Sequence, residues 1–474
     1  MIWKISARAG RSGGTAMTLQ EYIASIQDKT VAIVGIGVSN TPLIELLARS
    51  GVRVTACDRK SREALGDEAE RLESLGVSLK LGDGYLRDLT QDIIFRTPGL
   101  RPDVPELLAA AQRGSVITSE MEVFFRVAPC TLIAVTGSDG KTTTTTIVSE
   151  LLKAAGKTVH LGGNIGHPLL CEAGDMKPED YAVLELSSFQ LMTMTQSPHI
   201  SVITNLAPNH LDVHKDMAEY VAAKENIFTH QSAQDIAVFN ADNDITAEQA
   251  GRAVGRVRLF SRRTEPENGV FLRGGAVICR EDGAEREIMK TDDILLPGVH
   301  NVENYLAAIA AVNGLVPDEA VRQVARTFKG VEHRIELVRT LRGVRYYNDS
   351  IGTSPSRTIA GLRSFPEKVI LIAGGKDKGI SYAPLGPELN EHVKLLILCG
   401  ATARVIREAA EQAENYAGLE IVEVPDHQAA VDLAAARAVP GDVVLLSPAS
   451  TAFDRFKNFM ERGKVFKSIV NALQ

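Results

Sequence analysis

The chain has 474 residues, of which 45% are hydrophobic and 23% charged, and a formal net charge of −7. That length suits about three domains of roughly 150 residues rather than one core. The acidic balance, with no basic stripe, argues against a nucleic-acid partner.

Five cysteines, Cys57, Cys130, Cys171, Cys279 and Cys399, are scattered without C-x-x-C spacing, which fits a reducing cytoplasm. No apolar run reaches the eighteen or so residues of a membrane helix, so membrane insertion is not expected. Residues 1–16 are basic and Gly/Ser-rich but lack the apolar stretch of a secretory signal, and read as a disordered extension or an upstream start ahead of Met17.

Residues 30–37 (TVAIVGIG) form a β-branched run ending in two glycines. A helical pattern through Leu43, Leu46 and Leu47 follows, then a second strand at 52–58, giving a βαβ unit. Gly35 and Gly37, with Asp58 about twenty residues further on, have the layout of a dinucleotide turn. Asn40 stands where the third glycine belongs, so NAD and other nucleotides both stay open. Residues 93–99 (IIFRTPG) read as a short strand closing the region.

The apolar run 131–135 leads straight into GSDGKTT at 137–143 and then a helix-compatible stretch. Strand, tight turn and helix N-terminus aim backbone N–H groups at one point, which suits the triphosphate of ATP. Lys141 would reach the β- and γ-phosphates and the Thr142 hydroxyl would hold Mg²⁺. The loop is shorter than G-x-x-x-x-G-K-[ST], because Val135 occupies the first glycine position.

Further apolar runs at 181–186, 200–205 and 236–240 alternate with helical stretches and imply a mainly parallel sheet. A polar, glycine-bearing patch at 260–295 reads as a small antiparallel excursion. From about Val331 a third βα rhythm begins, with runs at 344–348, 368–375, 394–400 and 442–448. The expectation is an α/β protein of three domains, 17–119, 120–330 and 331–474.

Glu185, ending a strand in LELSSFQL, is a metal ligand or a solvated strand-end carboxylate. His210, in TNLAPNHLD, is a ligand or a loop hydrogen-bonding group. Lys224, on an amphipathic helix, would ordinarily be an exposed surface lysine. Asn301 and Asn304, three apart at a helix start, can cap the helix or read a base edge. The strand-end stretches His333-Arg334, YNDSIGTSP (347–355) and GGKDKG (374–379) suggest a cleft that closes on ATP and a second, anionic substrate.

In order along the chain, GSDGKTT, GGNIG (162–166), ELSSFQL, NHLD, AAKENIF, LPGVHNVENYLAA, HRIE, NDS and SPASTAFDRFKNFMERG (447–463) resemble the Mur ligases. These are ATP-dependent enzymes that add amino acids to the UDP-linked precursor of bacterial peptidoglycan. ELSSFQL and DRFKNF point to the D-glutamate-adding branch.

The resemblance implies a Rossmann-like UDP-binding domain, a central P-loop ATPase-type domain and a Rossmann-like C-terminal domain, in a cytoplasmic, monomeric enzyme. Its substrates would be UDP-N-acetylmuramoyl-L-alanine and D-glutamate. By motif match, Gly137, Ser138, Asp139, Gly140, Lys141, Thr142 and Thr143 hold ATP, together with Asn301, Asn304, Arg334 and Asp349. Of two Mg²⁺ ions, one is held by Thr142 and Glu185 and the other by His210 and a carbamate formed from CO₂ on Lys224. Val38, Ser39, Asp58, Arg59, Thr97, Gly99 and Asn164 fall at UDP-substrate positions, which reassigns the G-x-G turn from NAD to UDP. Thr353, Lys378, Thr451 and Phe459 fall at D-glutamate positions.

Two departures lie in the amino-acid pocket: Ile351 replaces a lysine common among relatives, and Ala452 replaces a serine. A sister ligase adding another amino acid, a non-catalytic nucleotide-binding regulator and an NAD dehydrogenase are the competing readings. The joint presence of Lys141, Glu185, His210 and Lys224 speaks against the regulator.

Overall fold

The computed structural model describes residues 17–37, 40–208, 213–377 and 379–474; the expected site residues Val38, Ser39, His210 and Lys378 lie outside the described residues. The first sheet contains β1 (Thr30–Val34), β2 (Arg53–Asp58), β3 (Ser78–Leu81), β4 (Ile93–Phe95) and β5 (Val116–Thr118) in the order β3-β2-β1-β4-β5. All its pairs are parallel. Val31 to Val34 are buried, as a strand covered on both faces requires. Strand order reverses between β1 and β4, so the turn after β1 and the loop after β4 flank a topological switch point, where such sheets take ligands. The sequence signals for β3 and β5 are missing because both are short, partly exposed edge strands.

The second sheet contains β6 (Thr131–Thr136), β7 (Val159–Gly163), β8 (Tyr181–Glu185), β9 (Ile200–Ile203), β10 (Ile236–Asn240), β11 (Arg256–Ser261), β12 (Gly269–Arg273), β13 (Ala276–Glu281) and β14 (Ala284–Lys290). Its order is β14-β13-β12-β11-β10-β9-β6-β8-β7. Pairing is parallel as far as β12, and only β12 to β14 run antiparallel. The antiparallel excursion is therefore narrower than 260–295. Gly274-Gly275 and Asp282-Gly283, all at positive φ, form its two hairpin turns, as two-residue turns of matching twist demand.

After β6 comes the helix Lys141–Ala154, which opens with five successive threonines. Thr145 Oγ1 donates to Lys141 O (2.7 Å) and Thr146 Oγ1 to Thr142 O (2.8 Å). These bonds to the preceding turn satisfy hydroxyls that β-branched residues would otherwise leave competing with the helix.

The third sheet contains β15 (Glu336–Leu341), β16 (Val344–Asn348), β17 (Val369–Ala373), β18 (Val393–Leu398), β19 (Glu420–Glu423) and β20 (Val443–Leu446), ordered β15-β16-β20-β17-β18-β19. β15 is antiparallel to β16 and the other pairs are parallel. Alternate residues feed two cores: Leu371, Leu396 and Leu445 on one face, and Ile370, Ile372, Ile397 and Val444 on the other, where Phe466 joins them.

The chain forms two compact units. One runs through Thr291 and includes Glu303–Val324, and the other comprises Asp292–Val302 and Ala325–Gln474. Within the first, one continuous apolar cluster extends from Leu19 to Phe239 and draws on both of its sheets.

All five cysteines are free. Burial raises the Cys57, Cys130 and Cys399 thiols to about 11 and Cys171 to about 12, and raises Cys279 as well. Among the described residues no helix is long and apolar enough to cross a membrane.

Phe466 is fully buried in the second unit. Phe466→Ala is expected to destabilise that unit by about 3–5 kcal/mol, read as a lowered urea midpoint; an unchanged midpoint would show that the site collapses around the smaller side chain.

Candidate active site

The phosphate loop sits where the carboxyl ends of β8, β6 and β9 lie side by side, with Val135 paired to Glu185 and Thr136 to Ile203. Gly137 has φ 151° and Gly140 φ 75°. A Cβ on Gly137 would fall 1.9 Å from Thr204 Oγ1, and one on Gly140 would fall 2.5 Å from Asn304 Oδ1. Both positions therefore need glycine for space as well as for φ.

The loop is pinned from β9's end. Ser138 N donates to Asn205 O, Asp139 N to Asn205 Oδ1 (3.0 Å) and Thr204 Oγ1 to Asp139 O (2.6 Å). The Ser138 hydroxyl lies 2.9 Å from both Ala207 O and Tyr220 Oη.

Glu185, only 2% exposed, accepts from Thr142 Oγ1 at 2.6 Å and from Asn164 Nδ2 at 2.8 Å. The fold thus brings together the two residues expected at one metal. It also joins to them Asn164, expected at the UDP-linked substrate. A threonine hydroxyl and a carboxylate are hard oxygen donors, and they suit Mg²⁺.

Lys224 is not the exposed lysine expected from its helix. On Met217–Glu225 it is 2% exposed, with Nζ donating to Thr136 Oγ1 and Gly137 O, each at 2.9 Å, and lying 4.9 Å from the Tyr220 ring centroid. That helix carries its lysine inward against the loop. Burial first, and the Lys141 charge second, hold its pKa well below the ordinary 10.5, against the pull of Glu185. Lys141 Nζ donates to Gly137 O (3.0 Å) and Ser138 O (2.8 Å).

Asn304 is buried, and its Oδ1 accepts from Thr144 Oγ1 (3.1 Å) beneath the loop, while Asn301 Nδ2 donates to Pro297 O (2.6 Å). His214 was not singled out from the sequence. It is buried, stacked on Phe189 at 5.3 Å and edge-on to Tyr220, with Nε2 2.9 Å from Ser188 Oγ. A histidine four residues beyond His210 was the available signal.

At the first sheet's switch point, Gly35 has φ 94° and Ile36 N donates to Asp58 Oδ2 (2.6 Å). Lys60 N donates to the other oxygen (2.8 Å), so Asp58 organises its own turn, and Arg59 is exposed. Asn40, in place of the third glycine, is buried and donates to Val34 O (2.9 Å). Thr97 packs against Gly35, whose added Cβ would lie 3.1 Å from Thr97 Cβ, and Gly99 is exposed.

In the second unit Arg334 lies between two residues of positive φ, His333 (65°) and Ile335 (43°). Such backbone costs on the order of 1–3 kcal/mol per residue and needs strong neighbours to hold it. Asn348 Nδ2 lies 2.9 Å from His333 Nδ1, Ile335 N donates to Asp349 Oδ1 (3.3 Å), and Ile351 N donates to His333 O.

Buried Arg462, also missed from the sequence, donates to Ser350 Oγ, Ser350 O and Ser450 O. It ties the loop after β16 to the loop after β20. Thr451 Oγ1 donates to Lys376 O (2.9 Å), and the His333 ring stands edge-on to Phe459 at 6.0 Å. Thr353 is partly buried just beyond the Asp349 loop.

Among known proteins the chain matches the Mur ligase middle domain over residues 135–312 and the Mur ligase, glutamate ligase domain over residues 333–450. It is 53% identical to a UDP-N-acetylmuramoylalanine--D-glutamate ligase of Acetivibrio thermocellus over 461 residues, covering 96% of this chain and 99% of that one. It is 50% identical to the ligase of the same name from Ruminiclostridium cellulolyticum over the same shares of each chain. Its fold is similar to a UDP-N-acetylmuramate-alanine ligase from Thermotoga maritima, with a TM-score of 0.58 at 19% identity, covering 94% of this chain and 99% of the other. A pseudomurein peptide ligase type C from Methanothermus fervidus gives a TM-score of 0.52 at 19% identity, over 94% and 100% of the two chains.

Burial raises the Asp349 carboxyl from 3.8 to about 6, against the Ser447 hydroxyl and the Arg334 charge. The folded state therefore binds this proton more tightly than the unfolded one, and the contribution of Asp349 to stability is lost as pH rises from 3.8 through about 6. Comparing urea unfolding at about pH 4 and about pH 7, Asp349→Asn is expected to lose less stability over that interval than the unsubstituted protein. Equal changes would mean that the carboxyl titrates alike in the folded and unfolded states.

Proposed function

The chain belongs to the Mur ligase family, and from that premise we propose that it is the member joining D-glutamate to UDP-N-acetylmuramoyl-L-alanine with hydrolysis of ATP to ADP and phosphate. The observation that carries this reading is near full-length similarity, at about half identity, to ligases of that name, on a chain whose phosphate loop, Glu185 and Lys224 converge.

The substrate carboxylate attacks the γ-phosphorus of ATP, ADP leaves, and an acyl phosphate forms. The amine of D-glutamate then attacks the acyl carbon, phosphate departs, and the amine loses its proton as the amide forms. The first step needs positioning and neutralisation of charge more than covalent help from the protein. Backbone N–H groups of Gly137 to Thr143 receive the triphosphate, and Lys141 meets the transferring phosphate. Thr142 and Glu185 would hold one Mg²⁺; His210 and a carbamate on Lys224 would hold a second. When bound, these ions neutralise charge on the phosphate oxygens and on the attacking carboxylate.

Lys224 suits carbamylation because burial lowers its pKa, and the neutral amine that this favours is the form that adds to CO₂. Addition releases one proton and replaces a cation with an anion. Asn301, Asn304, Arg334 and Asp349 complete the ATP contacts. The turn with Val38, Ser39, Asp58 and Arg59, with Thr97, Gly99 and Asn164, receives the UDP-linked substrate. Thr353, Lys378, Thr451 and Phe459 receive D-glutamate, with Ile351 and Ala452 reducing the polar contacts there. The domains on this reading are 17–119, 120–330 and 331–474, in a cytoplasmic monomer.

Phosphate release in the presence of UDP-N-acetylmuramoyl-L-alanine is expected to require D-glutamate; preference for L-alanine or a diamino acid would overturn the assignment. Lys224→Ala is expected to lose activity by about tenfold to a hundredfold, the scale seen when support for a metal site is removed. Short carboxylic acids should restore part of it by supplying the missing anion. Full activity without them would refute the metal-support role.

A further inference from the structure

The residue just past β4 carries a charge that an apolar strand does not need. Arg96 is 1% exposed, yet its guanidinium reaches two separate segments. It donates to Pro98 O (3.4 Å) and Leu100 O (3.1 Å) of its own loop, and to Phe189 O (3.0 Å) and Thr193 Oγ1 (2.9 Å). Phe189 belongs to the helix Ser188–Leu191, which follows the Glu185 strand almost at once.

At the other end of the same loop, Arg101 donates to Val213 O (2.7 Å) and to both Glu219 oxygens (3.0 and 2.8 Å), while Asp103 accepts from it at 2.8 Å. Glu219 lies on the helix that carries Lys224. Between the two arginines, Thr97 packs against the Gly35 turn. Residues 97–100 are thus joined to the nucleotide turn on one side, and held at one end to the short helix that follows the Glu185 strand and at the other to the helix bearing Lys224.

We propose that Arg96 and Arg101 are positioning residues, a two-armed brace that sets the distance between the nucleotide end of the UDP-linked substrate and the place where its carboxylate reacts. The proposal rests on the ligase reading, since it needs a long substrate anchored at one end and reacting at the other. In-line phosphoryl transfer tolerates little error: a displacement of about 1 Å can cost about a hundredfold in rate. A guanidinium fork bonds several acceptors in a fixed geometry, which a lysine cannot reproduce.

The experiment uses the full chain with Arg101→Gln and, separately, Arg96→Lys, because removing the buried fork entirely endangers folding. Expected in each variant is a fall of roughly tenfold to a hundredfold in kcat/KM for UDP-N-acetylmuramoyl-L-alanine. The KM for ATP and the Kd for UDP measured by calorimetry should each stay within about twofold, because those ligands do not span the brace. A purely structural role would lower Tm while leaving kcat/KM intact well below Tm. If Arg96→Lys does not fold, Arg101→Gln decides. The brace is overturned if an active unsubstituted protein keeps kcat/KM within about twofold on Arg101→Gln, or if the KM for ATP rises in step with the loss. Absence of D-glutamate-dependent phosphate release from the unsubstituted protein would instead fell the ligase reading.

Discussion

Two lysines share one carbonyl. Lys141 and Lys224 both donate to Gly137 O, and Gly137 can offer that oxygen because its backbone lies in a conformation, and against a threonine, that leave no room for a Cβ. Burial of the Lys224 ammonium disfavours its charge first, and the neighbouring Lys141 charge adds to that. Lys224 therefore carries the lowered pKa. This lowering of the Lys224 pKa follows from where the helix Met217–Glu225 packs and needs no special chemistry from the side chain.

The same economy runs through all three sheets, because Asp58, Glu185 and Asp349 all stand at or just past the carboxyl ends of parallel-paired strands. Register does much of the assembly. Pairing of Val135 with Glu185 puts the carboxylate beside the loop, and pairing of Thr136 with Ile203 brings Thr204 and Asn205 up on the other side. In the second unit, Ser447 after β20 donates to Asp349 Oδ2 after β16 (2.7 Å), and Arg462 adds a second tie between the two loops. These ties hold the positive-φ residues that flank Arg334.

The central strands were legible from sequence because a strand buried on both faces is written as an unbroken apolar run. β3, β5, β7, β11, β15 and β19 were not, since edge or short strands, and one interrupted by Arg256 and Arg258 as β11 is, carry polar residues and little period. The extent of the antiparallel excursion was misjudged, because glycine content marks turns but not which neighbour a strand pairs with. Glu185 and Thr142 were legible as a pair through their motifs. Lys224 read as exposed when the helix is considered alone, since burial depends on what packs against it. Arg96, His214 and Arg462 stayed invisible for a related reason: each acts through backbone carbonyls and hydroxyls far away in sequence, which leave no spacing to read.

The five cysteines give the molecule a property that has nothing to do with ligation. A thiol reacts with alkylating reagents as its thiolate, and here every thiol is held protonated beyond the ordinary range, four of the five out of solvent. At neutral pH the native chain is therefore expected to react only slowly with maleimides. Cysteines introduced at one exposed position on each unit, such as Val254 and Val439, would then take a donor and an acceptor dye almost alone, so changes in the distance between them during turnover become measurable by fluorescence without first stripping out the natural thiols.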